Sequence, residues 1–346
     1  MTEHGRLPRN DGLSMPARFS PHARSYVTWP VLDGRWNLER MRREHAAAID
    51  AIARFEPVTV VADPGVAETV PRYVTLGERI ELLEIPTNDT WIRDNGPIFV
   101  TDGRGGVALV AFRFNGWGQR VACDKDEKIS ERIAMARAMR CYHAPFILEG
   151  GGFSVDGEGT LIATEQFLLN PNRNPDWSRE QIERGLQDYL NVEKVIWIGK
   201  GLVEDKDTDG HSDNVVQFLR PGVALAQTVR DQSNPNHALL QDNLRRLQQA
   251  TDARGRRLEV VEMDILPYTE PIDGVRYPVP YVNYYAVNGG AVVPALGGEE
   301  DEEGLARMAE ILSDREIATV PSTAMALGGG GVGCITQQQP VGSPLS

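Results

Sequence analysis

The residues best suited to chemistry sit in loops and lie far apart in sequence. Cys334 ends the run Leu327-Gly328-Gly329-Gly330-Gly331-Val332-Gly333-Cys334, where a glycine backbone can come close to a ligand. Asp94 follows Trp91-Ile92-Arg93, Glu149 precedes three glycines, and His211 stands two residues before Asp213. Asn283 closes Tyr281-Val282-Asn283. A free thiol is a soft nucleophile, with only about a few per cent thiolate at neutral pH. It needs a cationic neighbour, and either His211 as imidazolium or a bound cation could serve. Three carboxylates around one thiol oppose its ionisation unless something positive lies between them. A planar guanidinium is the best match, because its N–H fork pairs carboxylates bidentately.

Plainer explanations exist for each residue taken alone. A glycine-rich turn can hold a merely buried thiol. Asp94 beside Arg93 could belong to a structural ion pair, Glu149 could cap a turn, and His211 could be a satisfied loop histidine. One histidine in these loops is too few for a convincing metal site, so no metal is expected.

The elements that carry these loops recur. Short β-rich runs open at Arg79, near Arg140, and at Val192, Arg257 and Arg315. Each leads through a polar or glycine-rich loop, and the first four end in a strand, at 106–111, 159–164, 222–226 and 290–294. Helical periodicity marks 38–55, 127–139, 178–190, 235–250 and 302–312, with Ser178 and Gln181 spaced as a capping box. Units spaced by roughly 50–65 residues suggest a propeller or array, and a closed ring limits exposed sheet edges. An open doubly wound sheet is the alternative. The ring is preferred because every unit places its unusual residues in the loop after its first strand. In a ring those loops meet near the axis.

Composition narrows the rest. The chain has 346 residues, 41% hydrophobic and 25% charged, which is ordinary for a globular protein. Its net charge of −13 comes without a basic stripe, so no nucleic-acid partner is expected, and an acidic field favours cationic ligands. Cys123, Cys141 and Cys334 are an odd set with no close pair, which fits a reducing cytoplasm. The segment Met1 to Pro21 lacks the apolar core of a signal peptide, and no stretch is long and apolar enough for a membrane span. Oligomeric state stays open, a homo-oligomer included.

Taken together, the motifs resemble agmatine deiminases, within the guanidine-modifying superfamily of five-bladed α/β propellers (penteins). The resemblance rests on Trp29-Pro30, Asn88-Asp89-Thr90-Trp91-Ile92-Arg93-Asp94-Asn95-Gly96-Pro97, Phe114-Asn115-Gly116-Trp117-Gly118 and Leu148-Glu149-Gly150-Gly151. It extends through Asp207-Thr208-Asp209-Gly210-His211-Ser212-Asp213-Asn214, Tyr281-Val282-Asn283 and Cys334-Ile335-Thr336-Gln337-Gln338. The resemblance implies a single pentein domain over residues 1–346 and a cytoplasmic hydrolase that uses no cofactor. It implies a guanidino substrate, agmatine first, converted to N-carbamoylputrescine and ammonia on the route to putrescine. Cys334 would be the nucleophile, His211 the general acid and then base, Glu149 the orienting carboxylate, and Asp94 and Asp213 the guanidinium grip. Trp91, Asn283 and Gly330 would also touch substrate. The chain departs from the family pattern at Arg18, Pro280, Gly331 and Gly333. A deiminase of another guanidino compound (arginine, peptidyl-arginine or a biosynthetic intermediate) is therefore an alternative, and an amidinotransferase, in which an amine resolves the adduct, would use the same Cys, His and carboxylates. A non-catalytic binding protein is a third class, against which the presence of a nucleophile argues.

Overall fold

The computed structural model describes residues 6–32 and 37–346. Residues 1–5, the start of the polar N-terminal segment, lie outside the described residues. The chain forms strands β1 (His22–Thr28), β2 (Val58–Ala62), β3 (Ile80–Glu84), β4 (Ile98–Thr101), β5 (Gly106–Arg113) and β6 (Cys141–Ile147). There follow β7 (Phe153–Val155), β8 (Thr160–Thr164), β9 (Lys194–Ile198), β10 (Val216–Arg220), β11 (Val223–Gln227) and β12 (Glu259–Met263). The last are β13 (Tyr285–Val287), β14 (Gly290–Ala295), β15 (Glu316–Pro321), β16 (Thr336–Pro340) and the two-residue β17 (Ser343–Pro344), which pairs with β5.

Five separate small sheets result, and they share one plan. In β4-β5-β6, β7-β8-β9, β10-β11-β12 and β13-β14-β15 the first strand is antiparallel to the second, and the second is parallel to the third. The fifth sheet joins the chain ends: β16 pairs antiparallel with β1, and β1, β2 and β3 run parallel. The fold is thus the mixed α/β pentein architecture, with β1 and β16 sharing a sheet.

Parallel neighbours cannot be joined by a tight turn and need a crossover. An α-helix supplies it in five of the six cases: α1 (Leu38–Ala53), α2 (Ile129–Ala136), α3 (Arg179–Leu190), α4 (His237–Gln249) and α5 (Glu300–Ile311), while β2 reaches β3 through a short 3-10 turn at Ala67–Arg72. The sequence of α3 shows why. Ser178 accepts from the Gln181 N–H while the Gln181 side chain accepts from the Ser178 N–H, satisfying two donors at the helix start. Ile182, Leu186 and Leu190 share one face and are buried with Phe146 and Leu161. Each such side chain contributes about 1.5–3 kcal/mol on burial. Asn191 in a left-handed turn ends the helix.

The repeat frame differs from the sequence reading. The strand that opens each sequence unit is the outer strand of the preceding sheet: β3, β6, β9, β12 and β15. The helix ends also shift by a few residues; α2 stops at Ala136, before Ala138 takes a left-handed φ of 49°. The expectation that matters for the site holds. A short turn precedes the inner strand of each sheet, at 92–95, 150–152, 212–214, 281–283 and 331–335. These turns pack in succession, and the Arg93 N–H donates to the Cys334 carbonyl at 3.1 Å, tying the last turn to the first. Among the described residues no helix is long and apolar enough to cross a membrane.

Candidate active site

Asp94, Glu149, His211, Asp213 and Cys334 converge although they come from four sheets and span most of the chain. All five are buried. Glycine makes the approach feasible. A Cβ on Gly151 would lie 2.6 Å from Asp94 Oδ1, 2.7 Å from His211 Nδ1 and 3.0 Å from Asp213 Oδ2. No side chain fits there, so the second glycine after Glu149 is fixed by the crowding of the charged groups.

The carboxylate of Glu149 is fully paired. Arg173 grips it with Nε on Oε1 at 2.6 Å and Nη2 on Oε2 at 2.9 Å. The His211 Nε2–H donates to Oε2 at 2.8 Å. Burial pushes the Glu149 carboxyl up, but the His211 hydrogen bond and the Arg173 charge outweigh it and hold the group below the usual carboxylate range. Burial alone would push His211 down. The charges of Asp94, Glu149 and Asp213 reverse this and raise it to about 9, so its imidazole is cationic at neutral pH. The Phe167 ring meets it edge-on at 4.7 Å between centroids.

Asp94 lies on the other side of His211, with Oδ1 3.6 Å from Nδ1. It accepts from the Gly151 N–H at 3.0 Å and from Trp117 Nε1–H at 3.0 Å. Burial raises its carboxyl to about 6 despite the His211 charge. Trp117 holds this bond from a left-handed backbone (φ 53°), an unfavourable region for a bulky residue and one often seen at functional sites.

The Cys334 sulfur lies 3.5 Å from Asp213 Oδ2. Asp213 Oδ1 is buried without a hydrogen-bond partner. Burial, then Asp213 and Asp94, push the Cys334 thiol well above its ordinary range. In the free protein it is a neutral thiol facing two carboxylates.

A cavity of about 340 Å³ opens onto the sulfur. Trp91, Asp94, Trp117, His211, Gly330 and Cys334 line it, and so do Asp89, Asp207 and Arg120. Asn283 stands elsewhere. It contacts Cys334 Sγ, the Gly333 N–H and Asn214, and it is not part of the cavity wall.

Two residues here escape sequence reasoning. Arg173 lies in Asn172-Arg173-Asn174, where nothing local marks it as special. It also donates to Asp209, which in turn binds Arg120 through two hydrogen bonds. Arg93 reads as a partner for Asp94 but turns away from it. Its guanidinium is fully buried and donates to the Gly333 carbonyl and to the side-chain oxygens of Gln337 and Gln338.

The fold and this thiol-carboxylate-histidine cluster define a guanidine-modifying α/β propeller. The chain belongs to the Porphyromonas-type peptidyl-arginine deiminase family, whose sequence pattern it matches over residues 14–340. It is 40% identical over 358 aligned residues to an agmatine deiminase of Pseudomonas aeruginosa, covering 96% of this chain and 97% of that one. An agmatine deiminase of Stutzerimonas stutzeri is 39% identical, with 98% and 99% covered. Among solved structures, an agmatine deiminase of Enterococcus faecalis superimposes with a TM-score of 0.92 at 32% identity, with 98% of each chain covered.

Proposed function

We propose that this protein hydrolyses the guanidinium group of agmatine to N-carbamoylputrescine and ammonia, with Cys334 as nucleophile. The observation that carries the reading is the buried Asp213 carboxylate beside the Cys334 sulfur, one oxygen unpaired. A guanidinium seated there donates to Asp213 and Asp94 and supplies the positive charge that the thiol lacks. The Cys334 proton then leaves for solvent.

The thiolate adds to the guanidinium carbon. His211, cationic in the free protein, protonates the departing nitrogen, which leaves as ammonia, and a thiouronium adduct remains. Neutral His211 next takes a proton from water, whose oxygen attacks the same carbon. The C–S bond breaks, the thiolate returns, and the remaining hydroxyl proton is released as the ureido carbonyl forms. Glu149, held by Arg173, fixes the ring of His211 throughout. The substrate provides the charge, so no metal enters the scheme.

The charge of the cavity wall favours agmatine over arginine. Asp89 and Asp207 line the cavity and suit an ammonium tail. Arginine would need a cation for its α-carboxylate. The cationic side chains on the described wall are His211 and Arg120, and Arg120 is already held by both oxygens of Asp209. Three unpaired cysteines, one of them the nucleophile, suit a reducing compartment such as the cytoplasm. The test is a panel of agmatine, arginine and an N-acylated arginine amide, without added amine and assayed for ammonia and ureido product. Agmatine should give both products fastest. Preference for an arginine derivative would overturn the substrate assignment, and an absolute need for an amine acceptor would make the protein a transferase.

A further inference from the structure

We infer that Asn283 is a positioning residue that holds the Cys334 thiolate through an N–H···S hydrogen bond, and that Gly331 and Gly333 are the space this requires. The inference rests on Cys334 being the nucleophile, and it gives Asn283 a task on the enzyme's sulfur.

The amide orientation is set by its neighbours. The Gly333 N–H can only donate, and it reaches Asn283 Oδ1 at 2.8 Å. The other end of the carboxamide must then be the NH₂. Nδ2 donates to Asn214 Oδ1 at 2.9 Å and lies 3.3 Å from Cys334 Sγ, nearer than Oδ1 at 3.7 Å. One hydrogen is used on Asn214 and the second faces the sulfur. The Gly331 backbone also favours the thiolate, but the other side chains that act on the sulfur are acidic: Asp213 at 3.5 Å, and Asp94. Asn283 is thus the side-chain donor to a thiolate that carboxylates oppose, beside the Gly331 backbone.

The glycines fit this role. A Cβ on Gly331 would come within 2.8 Å of Asn283 Oδ1, and a Cβ on Gly333 within 2.8 Å of the same atom. Neither position has a positive φ, so space and not backbone conformation is at stake. The carboxamide is pinned at both ends and cannot yield without leaving the sulfur. A side chain at either position therefore displaces the donor. Gly331 and Gly333 and the reach of Asn283 are one adaptation, and it lies behind the nucleophile, away from the substrate's tail.

Asn283→Asp tests this, because aspartate keeps the acceptor for the Gly333 N–H while removing the donor to sulfur. Aspartate also adds a negative charge beside the sulfur, so a purely structural Asn283 predicts an effect for Asn283→Asp that the uncharged Gly331→Ala does not reproduce. The donor role predicts a fall in kcat of about tenfold or more with KM close to wild type, and an acid limb of kcat/KM moved to higher pH. Gly331→Ala should reproduce the direction of both effects, and it carries the test if Asn283→Asp does not fold. Iodoacetamide alkylation of Cys334 across pH reads the same shift without turnover. Wild-type kinetics and an unmoved alkylation profile in folded Gly331→Ala, with Cys334→Ala inactive, would overturn the inference alone. An active Cys334→Ala would instead overturn the nucleophile assignment.

Discussion

The two sides of the catalytic cluster are built on opposite terms. On one side, Glu149 has both oxygens engaged by Arg173 and His211, and Arg173 is held in turn by Asp209. On the other side, the Cys334 thiol faces Asp213, which keeps one buried oxygen unpaired. Burying a charged group without a partner costs several kcal/mol or moves its pKa. The first side is complete without ligand and can be rigid. The second is short of one cation, which the substrate brings. Proton transfer is assigned to the completed side and bond formation to the incomplete one.

The contrast predicts a graded set of effects. The largest should come from Cys334→Ala, with turnover of agmatine falling at least about 10³-fold. Binding should survive, because the carboxylates remain, and calorimetry with agmatine checks it. Next comes Asp213→Asn, which removes the charge with the unpaired oxygen. Its kcat/KM should drop about 10²-fold or more, while thermal stability holds or rises. Stability that falls sharply would break the idea that this side is incomplete.

Arg173→Met probes the completed side and should do the reverse of Asp213→Asn. It strands the Glu149 carboxylate in the core, at a cost of about 3–5 kcal/mol in denaturant unfolding. Arg120→Ala, at the half-exposed end of the same chain of ion pairs, should cost less than about 1 kcal/mol.

The smallest effects are those of pH. Asp94 is raised to about 6, so agmatine binding to Cys334→Ala, measured by calorimetry, should weaken as pH falls through that value and the carboxylate that grips the guanidinium is lost. His211 has a folded pKa of about 9 against 6.5 when unfolded, so folding favours its protonated form. Its contribution to stability is complete below 6.5 and disappears as pH rises through about 9. Unfolding midpoints measured on either side of that window check the sign. A His211→Asn variant should lose this dependence.

Much of the cluster was legible because residue type and chemistry coincide. A lone cysteine after glycines, a histidine two residues from an aspartate and a glutamate before three glycines are unusual in loops. The agmatine-deiminase resemblance added their roles. The crossover helices were legible from apolar spacing, and the ends of α3 from its capping box. The frame of the repeat was not, because the innermost strands do not look like core. β16 contains Gln337, Gln338 and Gln339, all buried. Their amides serve Arg93 and the Tyr26 hydroxyl, and hydropathy cannot register that pairing. Arg173 was invisible for the same reason, since its partner is distant in sequence. Asn283 was recognised as a site residue, but only three dimensions put it behind the sulfur.

The central claim is that the substrate's cation completes the Cys334 side. The most direct measurement is the ultraviolet absorbance of the Cys334 thiolate as pH is raised, taken as wild type minus Cys334→Ser, with and without a slowly processed guanidino ligand. The account predicts a thiol that ionises above the ordinary value of about 8.5 in the free protein and moves to lower pH when the ligand binds. A thiolate already present at neutral pH in the free protein, and indifferent to the ligand, would contradict it.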